Sequence, residues 1–246
     1  YVDGRFIQGL DVNHTEAILT DKAQGGETFD IVLSAFTGDE NHSLLLDSRL
    51  RVLDRETEKY YYDLKMPFDI AMMLPDEDEN CIAIVSCLND SLNLVDLRRG
   101  TEGDFRRTLA EAQAYLDREF YQKRCGTRPE TVHCVGHTHI DVAWLWPLAV
   151  TRDKAVRSFA TVLELMRRYP EYQFMSSQPQ LYKYVMEDNP ELYREIKERI
   201  AEGRWEADGG MWVEADCNIA SGEALARQFL YGMRFFEREF GAVCEV

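Results

Sequence analysis

Residues 131–146 read TVHCVGHTHIDVAWLW, and the fold turns on how that run divides. Its first part, TVHCVG (131–136), is a short apolar run suited to a strand. Its second part, HTHIDVAWLW (137–146), gathers His137, His139, Asp141, Trp144 and Trp146. A strand that ends in polar and aromatic residues is the pattern of α/β proteins, whose active sites lie at the carboxyl ends of parallel strands.

Toward the C terminus the chain keeps alternating. Residues 152–169 predict a helix with Val156, Phe159, Leu163 and Met166 on one face, and YQFMSS (172–177) predicts a strand. Asn189-Pro190 opens a helix as a cap followed by proline in the first turn, lined by Leu192, Ile196 and Ile200 and ended by Gly203. RWEAD (204–208) is a third strand. Ser221 caps a last helix with Leu225, Phe229, Met233 and Phe236 inward, and AVCEV (242–246) is a fourth strand. Strands and helices in alternation with short loops predict a parallel sheet.

Toward the N terminus the pattern changes twice. Residues 56–126 read as a helical connector. ETEKYYYDLKMPFDIAMML (56–74) is amphipathic, with Pro67 as a break or kink. DEDENCIAIVSCLNDSLNLVDL (76–97) starts acidic, as a helix dipole favours, and puts Ile82, Val85, Leu88 and Leu92 at helical spacing. EGDFRRTLAEAQAYLDREFYQKR (102–124) aligns Phe105, Leu109, Ala112, Leu116 and Phe120, then meets Gly126 as a C-cap and Pro129 as a stop. Tyr60-Tyr61-Tyr62 reads as a buried helix face rather than a sugar platform. Residues 1–55 carry RFIQGL, EAILTD, TFDIVLSAF and SLLLDSRLRVL, separated by Gly25-Gly26 and TGDENHS. These predict a β-sandwich-like segment, with Leu50 and Val52 on the buried side of a strand. His14 and His42 are isolated there and read as surface or turn residues.

The formal net charge of −16 over 246 residues leaves no basic stripe for phosphates, so nucleic acid is excluded as a partner. Every apolar run is broken by charge, so no transmembrane helix and no membrane partner are expected. The six cysteines, Cys81, Cys87, Cys125, Cys134, Cys217 and Cys244, form no CxxC pair. They predict free buried thiols and a cytoplasmic protein. A start at Tyr1 and an end at FGAVCEV (240–246) are expected of a piece of a longer chain.

Side chains alternate along a strand, so extended geometry through 137–141 points His137, His139 and Asp141 the same way. Imidazole and carboxylate suit zinc-like ions, and tryptophans beside polar groups suit a sugar with an apolar face. A second cluster, RWEADGGMWVEADCN (204–218), sets Asp208, Glu214 and Asp216 around Gly209-Gly210 and Trp212. Carboxylates near a metal suit hydrolysis of a polar substrate. Spacing alone leaves the chemistry open. Metal-dependent amidohydrolases and deacetylases also carry an HxH at a strand end, a carbohydrate-binding protein needs the tryptophans but no metal, and an HxH can be purely structural.

HCVGHTHIDVAWLWPL (133–148), FMSSQPQLYKYV (174–185) and GRWEADGGMWVEADCNIASGEALARQFLYG (203–232) resemble glycoside hydrolase family 38, the class II α-mannosidases. YVDGRFIQGLDVNHTE (1–16) resembles the region before the catalytic domain in the cytosolic and bacterial branch. The resemblance implies a zinc-dependent, retaining α-mannosidase acting on mannose-containing oligosaccharides, with cobalt as an alternative ion. It implies a catalytic (β/α)7 barrel, of which residues 127–246 are the start. The family's His-x-Asp falls on His139-Ile140-Asp141, which makes His139 and Asp141 the implied metal ligands; His137 matches a neighbouring histidine that is not a ligand. Trp144 matches the tryptophan beneath the mannose ring, and Asp216 an acidic substrate contact. The family's nucleophilic aspartate and a further histidine ligand are expected beyond Val246, so residues 1–246 alone are expected to be inactive and to hold zinc weakly. Homo-oligomeric assembly of the intact protein is left open.

Overall fold

The computed structural model describes residues 1–35, 47–98, 100–125 and 131–244. TGDENHS (37–43) with His42, Gly126, Pro129, and the last two residues of AVCEV lie outside the described residues. The chain divides into two compact units: Leu44–Val132, and Tyr1–Ser43 together with His133–Val246.

The first unit is helical. Helices α1 (Arg55–Ala71), α2 (Glu79–Leu92) and α3 (Glu102–Leu116) each begin at a residue whose side chain takes the orphan N–H groups of the first turn: Asp54, Asp78 and Thr101. Thr101 and Asp104 complete a capping box. After α3 the chain continues as a π-helical segment, Asp117–Cys125. The core joins Tyr60, Cys87, Leu88, Leu109, Ala112, Leu116 and Phe120, so the face expected of residues 105–120 is the one that packs. The face expected of α2 is not. Ile82, Val85 and Leu92 are exposed, while Cys81, Cys87, Leu88 and Ser91 are buried. Two apolar stripes share this helix, and packing rather than periodicity selects between them. Of the tyrosine run only Tyr60 is buried; Tyr61 and Tyr62 face outward.

Pro67 does not break α1, which runs four residues past it. Proline has no N–H for the carbonyl four residues back. That carbonyl, on Asp63, instead accepts a hydrogen bond from the Tyr121 hydroxyl at 2.9 Å. Burial pushes the Tyr121 phenol up to about 12, which keeps it a donor.

The second unit is α/β. Strands β1 (Gly136–His137), β2 (Phe174–Ser176) and β3 (Trp205–Ala207) form a parallel sheet in the order β1-β2-β3. Gly136 pairs with Phe174, and Phe174 with Trp205. Helices α4 (Leu148–Arg168), α5 (Pro179–Asp188), α6 (Pro190–Ala201) and α7 (Gly222–Phe240) complete the unit. The parallel alternation read from the sequence is therefore present, with strands shorter than expected. Helix α5 adds to the elements the sequence pattern marks, and residues 242–244 form no strand.

An aromatic cluster forms the core. Trp205 meets Phe159 at 5.1 Å and Phe174 at 4.7 Å between ring centroids, and its Nε1 donates to the Tyr182 hydroxyl at 2.8 Å. The expected caps hold: Asn189 Oδ1 accepts from Leu192 N–H, and Ser221 Oγ from Ala224 N–H. Arg204 donates to the carbonyls of Met166 and Tyr169, closing the C-terminal end of α4. On α7 the inward face is Gly232, Phe235 and Phe236, whereas Phe229 and Met233 are more exposed than expected. The reason lies at Gly232, where a Cβ would stand 1.9 Å from the Gly210 carbonyl. The Gly209-Gly210 turn presses on α7 there and sets its rotation.

The sandwich expected of residues 1–55 is not formed among the described residues. Val2 makes isolated bridges to Arg5 and Ile31, and no described residue of 1–54 lies in a strand ladder. Val52 is 97% exposed and Leu50 nearly so. Alternation of side chains marks extended backbone equally well with or without a neighbouring strand to pair with. The N-terminal residues are instead pinned by side chains: Phe6 packs on the α/β core, Arg5 pairs with Glu195 at 2.8 Å, and Gln8 accepts from Arg168.

Candidate active site

The site is assembled by the three loops that leave the carboxyl ends of β1, β2 and β3. Past β1, Ile140 points into the core, so its neighbours His139 and Asp141 point out together. His139 Nε2 lies 2.7 Å from Asp141 Oδ1. The backbone beneath them is fastened. Trp146 Nε1 donates to the buried Thr151 hydroxyl at 3.0 Å, and that hydroxyl donates to the Asp141 carbonyl at 3.2 Å.

The loop after β3 brings Glu214 to the other side of the imidazole, with Oε2 at 2.9 Å from His139 Nδ1. Ser177, from the loop after β2, donates its hydroxyl to Glu214 Oε1. The hydrogen bond to Asp141 holds the His139 pKa above its ordinary value; partial burial opposes this, and the Glu214 charge adds to the rise. Two carboxylates around one imidazole make a cation-attracting locus.

Gln178 is the keystone of this arrangement. It is buried, adopts a left-handed backbone (φ +61°) and precedes Pro179 at the start of α5. Its Nε2 donates to the Ile140 carbonyl at 3.1 Å, and its Oε1 accepts from Glu214 N–H at 3.3 Å. One side chain thus ties the His139 loop to the Glu214 loop. Gln228 of α7 secures the far side, accepting from Val213 N–H at 2.8 Å through Oε1 and from Trp212 N–H at 3.0 Å through its carbonyl.

The other residues singled out from the sequence separate. His137 turns to the neighbouring strand, where Nδ1 lies 3.0 Å from the Met175 carbonyl, and it does not join the cluster. Trp144 is 66% exposed and packs edge-on against Trp146, centroids 5.5 Å apart. Asp216 closes its own turn, Oδ1 accepting from Asn218 N–H at 2.8 Å. Asp208 Oδ1 accepts from Gly209 N–H at 2.7 Å. Of the acidic trio, the structure brings only Glu214 to the histidine. Gln178 had no sequence argument behind it; its one signal was a polar residue between a strand and a helix-opening proline.

Among the described residues, no group of three or more His, Cys, Asp or Glu side chains is placed to hold one metal ion. His139 stands between its two carboxylates rather than beside both. The donor chemistry of the His139 Nε2–Asp141 Oδ1 pair does fit zinc. Bonds of about 2 Å at the tetrahedral angle separate two donors by about 3.3 Å, a small side-chain rotation from the spacing seen.

The second unit is thus a parallel α/β unit with a histidine–carboxylate cluster at the carboxyl ends of its strands. Residues 129–246 match the glycosyl hydrolases family 38 N-terminal domain. Those residues belong to that family. The chain's relatives include alpha-mannosidase G of Dictyostelium discoideum, 37% identical over 81% of this chain, and human alpha-mannosidase 2C1, 38% identical over 80%. The alpha-mannosidase of Saccharomyces cerevisiae is 37% identical over 76% of this chain. The chain spans 18% of the length of each of these relatives. No described helix is long and apolar enough to cross a membrane. All six cysteines are unpaired; Cys81, Cys87 and Cys244 are buried as expected, while Cys125, Cys134 and Cys217 are exposed.

Proposed function

We propose that the protein carrying this chain is a retaining α-mannosidase that removes terminal α-D-mannosyl residues from oligosaccharides. The observation that carries this reading is the pairing of His139 with Asp141, three residues before the exposed Trp144, in a chain whose relatives are named as alpha-mannosidases. The three parallel strands in sequential order are, in this reading, the opening of a (β/α)7 barrel. Residues 1–55 and 56–126 precede that catalytic domain, which starts at 127.

His139 and Asp141 would hold a zinc ion or, alternatively, cobalt. The ion supplies Lewis-acid polarisation of sugar hydroxyls when bound. Trp144 offers its free ring face to the apolar side of the mannose and orients it. Asp216, once its turn adjusts, contacts a sugar hydroxyl. Retaining hydrolysis needs an attacking carboxylate and a separate acid. We assign both to residues beyond Val246, so residues 1–246 alone turn over no mannoside. The unpaired cysteines suit a reducing compartment, and we place the protein in the cytoplasm.

The test is hydrolysis of an aryl α-mannoside by the intact protein, before and after chelation, with aryl esters and amides alongside. Turnover of the mannoside that disappears on chelation and returns with zinc or cobalt is the expected result. Ester or amide turnover in its place overturns the assignment in favour of an amidohydrolase.

A further inference from the structure

Glu214 has more fixing it than a surface ion pair requires. Its carboxylate bonds His139 Nδ1 through Oε2 and accepts the Ser177 hydroxyl through Oε1. Its backbone N–H is held by buried Gln178, whose other end holds the Ile140 carbonyl between His139 and Asp141. An exposed ion pair by itself contributes little to stability. The His139 and Glu214 side chains are still 51% and 39% exposed, so the network is anchored below and open above.

The two ring nitrogens of His139 have different neighbours. Nε2 faces Asp141, the other implied ligand, and Nδ1 faces Glu214. Histidines that bind metal through one nitrogen commonly donate the other N–H to a carboxylate, which fixes the ring's tautomer and direction.

We propose that Glu214 is a positioning residue: it holds the Nδ1–H of His139 and so presents Nε2, beside Asp141, to the cation. Ser177 and Gln178 keep Glu214 in place. The inference rests on the metal reading above and adds to it a residue that acts through the histidine without touching the ion. It also explains why the three groups do not surround one point.

The experiment is competitive chelation of zinc from the intact protein, comparing the parent with His139→Ala, Glu214→Ala, Glu214→Gln and Ser177→Ala. Zinc-free thermal unfolding is followed in the same samples. The expected order is the largest loss for His139→Ala and a loss of about 10–100-fold for Glu214→Ala. Glu214→Gln is expected to recover most of that affinity, because its amide oxygen still accepts the Nδ1–H. Ser177→Ala should weaken binding less than Glu214→Ala and serves should the latter fail to fold. Unchanged affinity in Glu214→Ala, with His139→Ala impaired, overturns the positioning role and leaves the metal reading standing. A Glu214→Gln defect as deep as that of His139→Ala makes Glu214 a ligand and overturns it too. Unchanged affinity in His139→Ala removes the metal reading and this inference with it.

Discussion

The helical unit and the α/β unit both bury polar side chains, and they direct them differently. In the helical unit the networks at Ser91 and Tyr121 end inside. Tyr60 and Ser91 share a hydrogen bond at 2.9 Å, Ser91 donates to the Ala112 carbonyl, and Tyr121 donates to Asp63. These bonds satisfy groups the packing itself orphaned. In the α/β unit the buried Gln178 ends on two loops that carry exposed charged side chains. Those bonds fix the two loops to each other, whereas the Trp205–Tyr182 bond of the same unit ends inside its core. The direction in which a buried polar group is satisfied separates structural work from functional work.

The core of the α/β unit should give the largest effect. Trp205→Ala removes a fully buried ring and the donor to Tyr182, and is expected to cost about 3–5 kcal/mol in urea unfolding. A smaller loss would mean that the aromatic cluster is not the unit's centre. Gln178→Ala sharpens the contrast more finely. It leaves the Ile140 carbonyl and Glu214 N–H without their partner, which costs about 1–3 kcal/mol. Unlike Trp205→Ala, it should also weaken zinc binding out of proportion to its effect on stability.

In the helical unit, Tyr121→Phe should cost about 1 kcal/mol. In a Pro67→Ala background the new N–H can serve Asp63 instead, so the same change should cost markedly less. Additive effects in that double-mutant cycle would contradict the pairing of Pro67 with Tyr121. The smallest effect is expected at Val52, where Val52→Ser should change stability by less than about 0.5 kcal/mol. A larger cost would restore the strand that alternation suggested.

Local signals were legible and tertiary choices were not. Asn189 and Ser221 were readable as caps because a cap is a bond between a side chain and its own neighbouring backbone. His139 and Asp141 were readable as a pair because a two-residue spacing puts both on one side of extended backbone. The same rule misplaced His137, which the adjacent strand captures through the Met175 carbonyl. The rotation of α7 depends on Gly232 meeting Gly210 across the fold, which no helical period encodes. Glu214 and Asp216 could not be told apart by spacing, since the loop carrying them is set by Gln178 and Gln228 from elsewhere.

The central claim is that the His139 cluster carries chemistry and contributes little to folding. It is tested by measuring aryl α-mannoside turnover and zinc-free thermal unfolding on one preparation of intact His139→Ala protein. The expected result is turnover reduced to background with an unchanged unfolding midpoint, since the imidazole is half exposed. Turnover that survives, or a midpoint that falls along with it, would contradict the account and return the cluster to the structure of the loop.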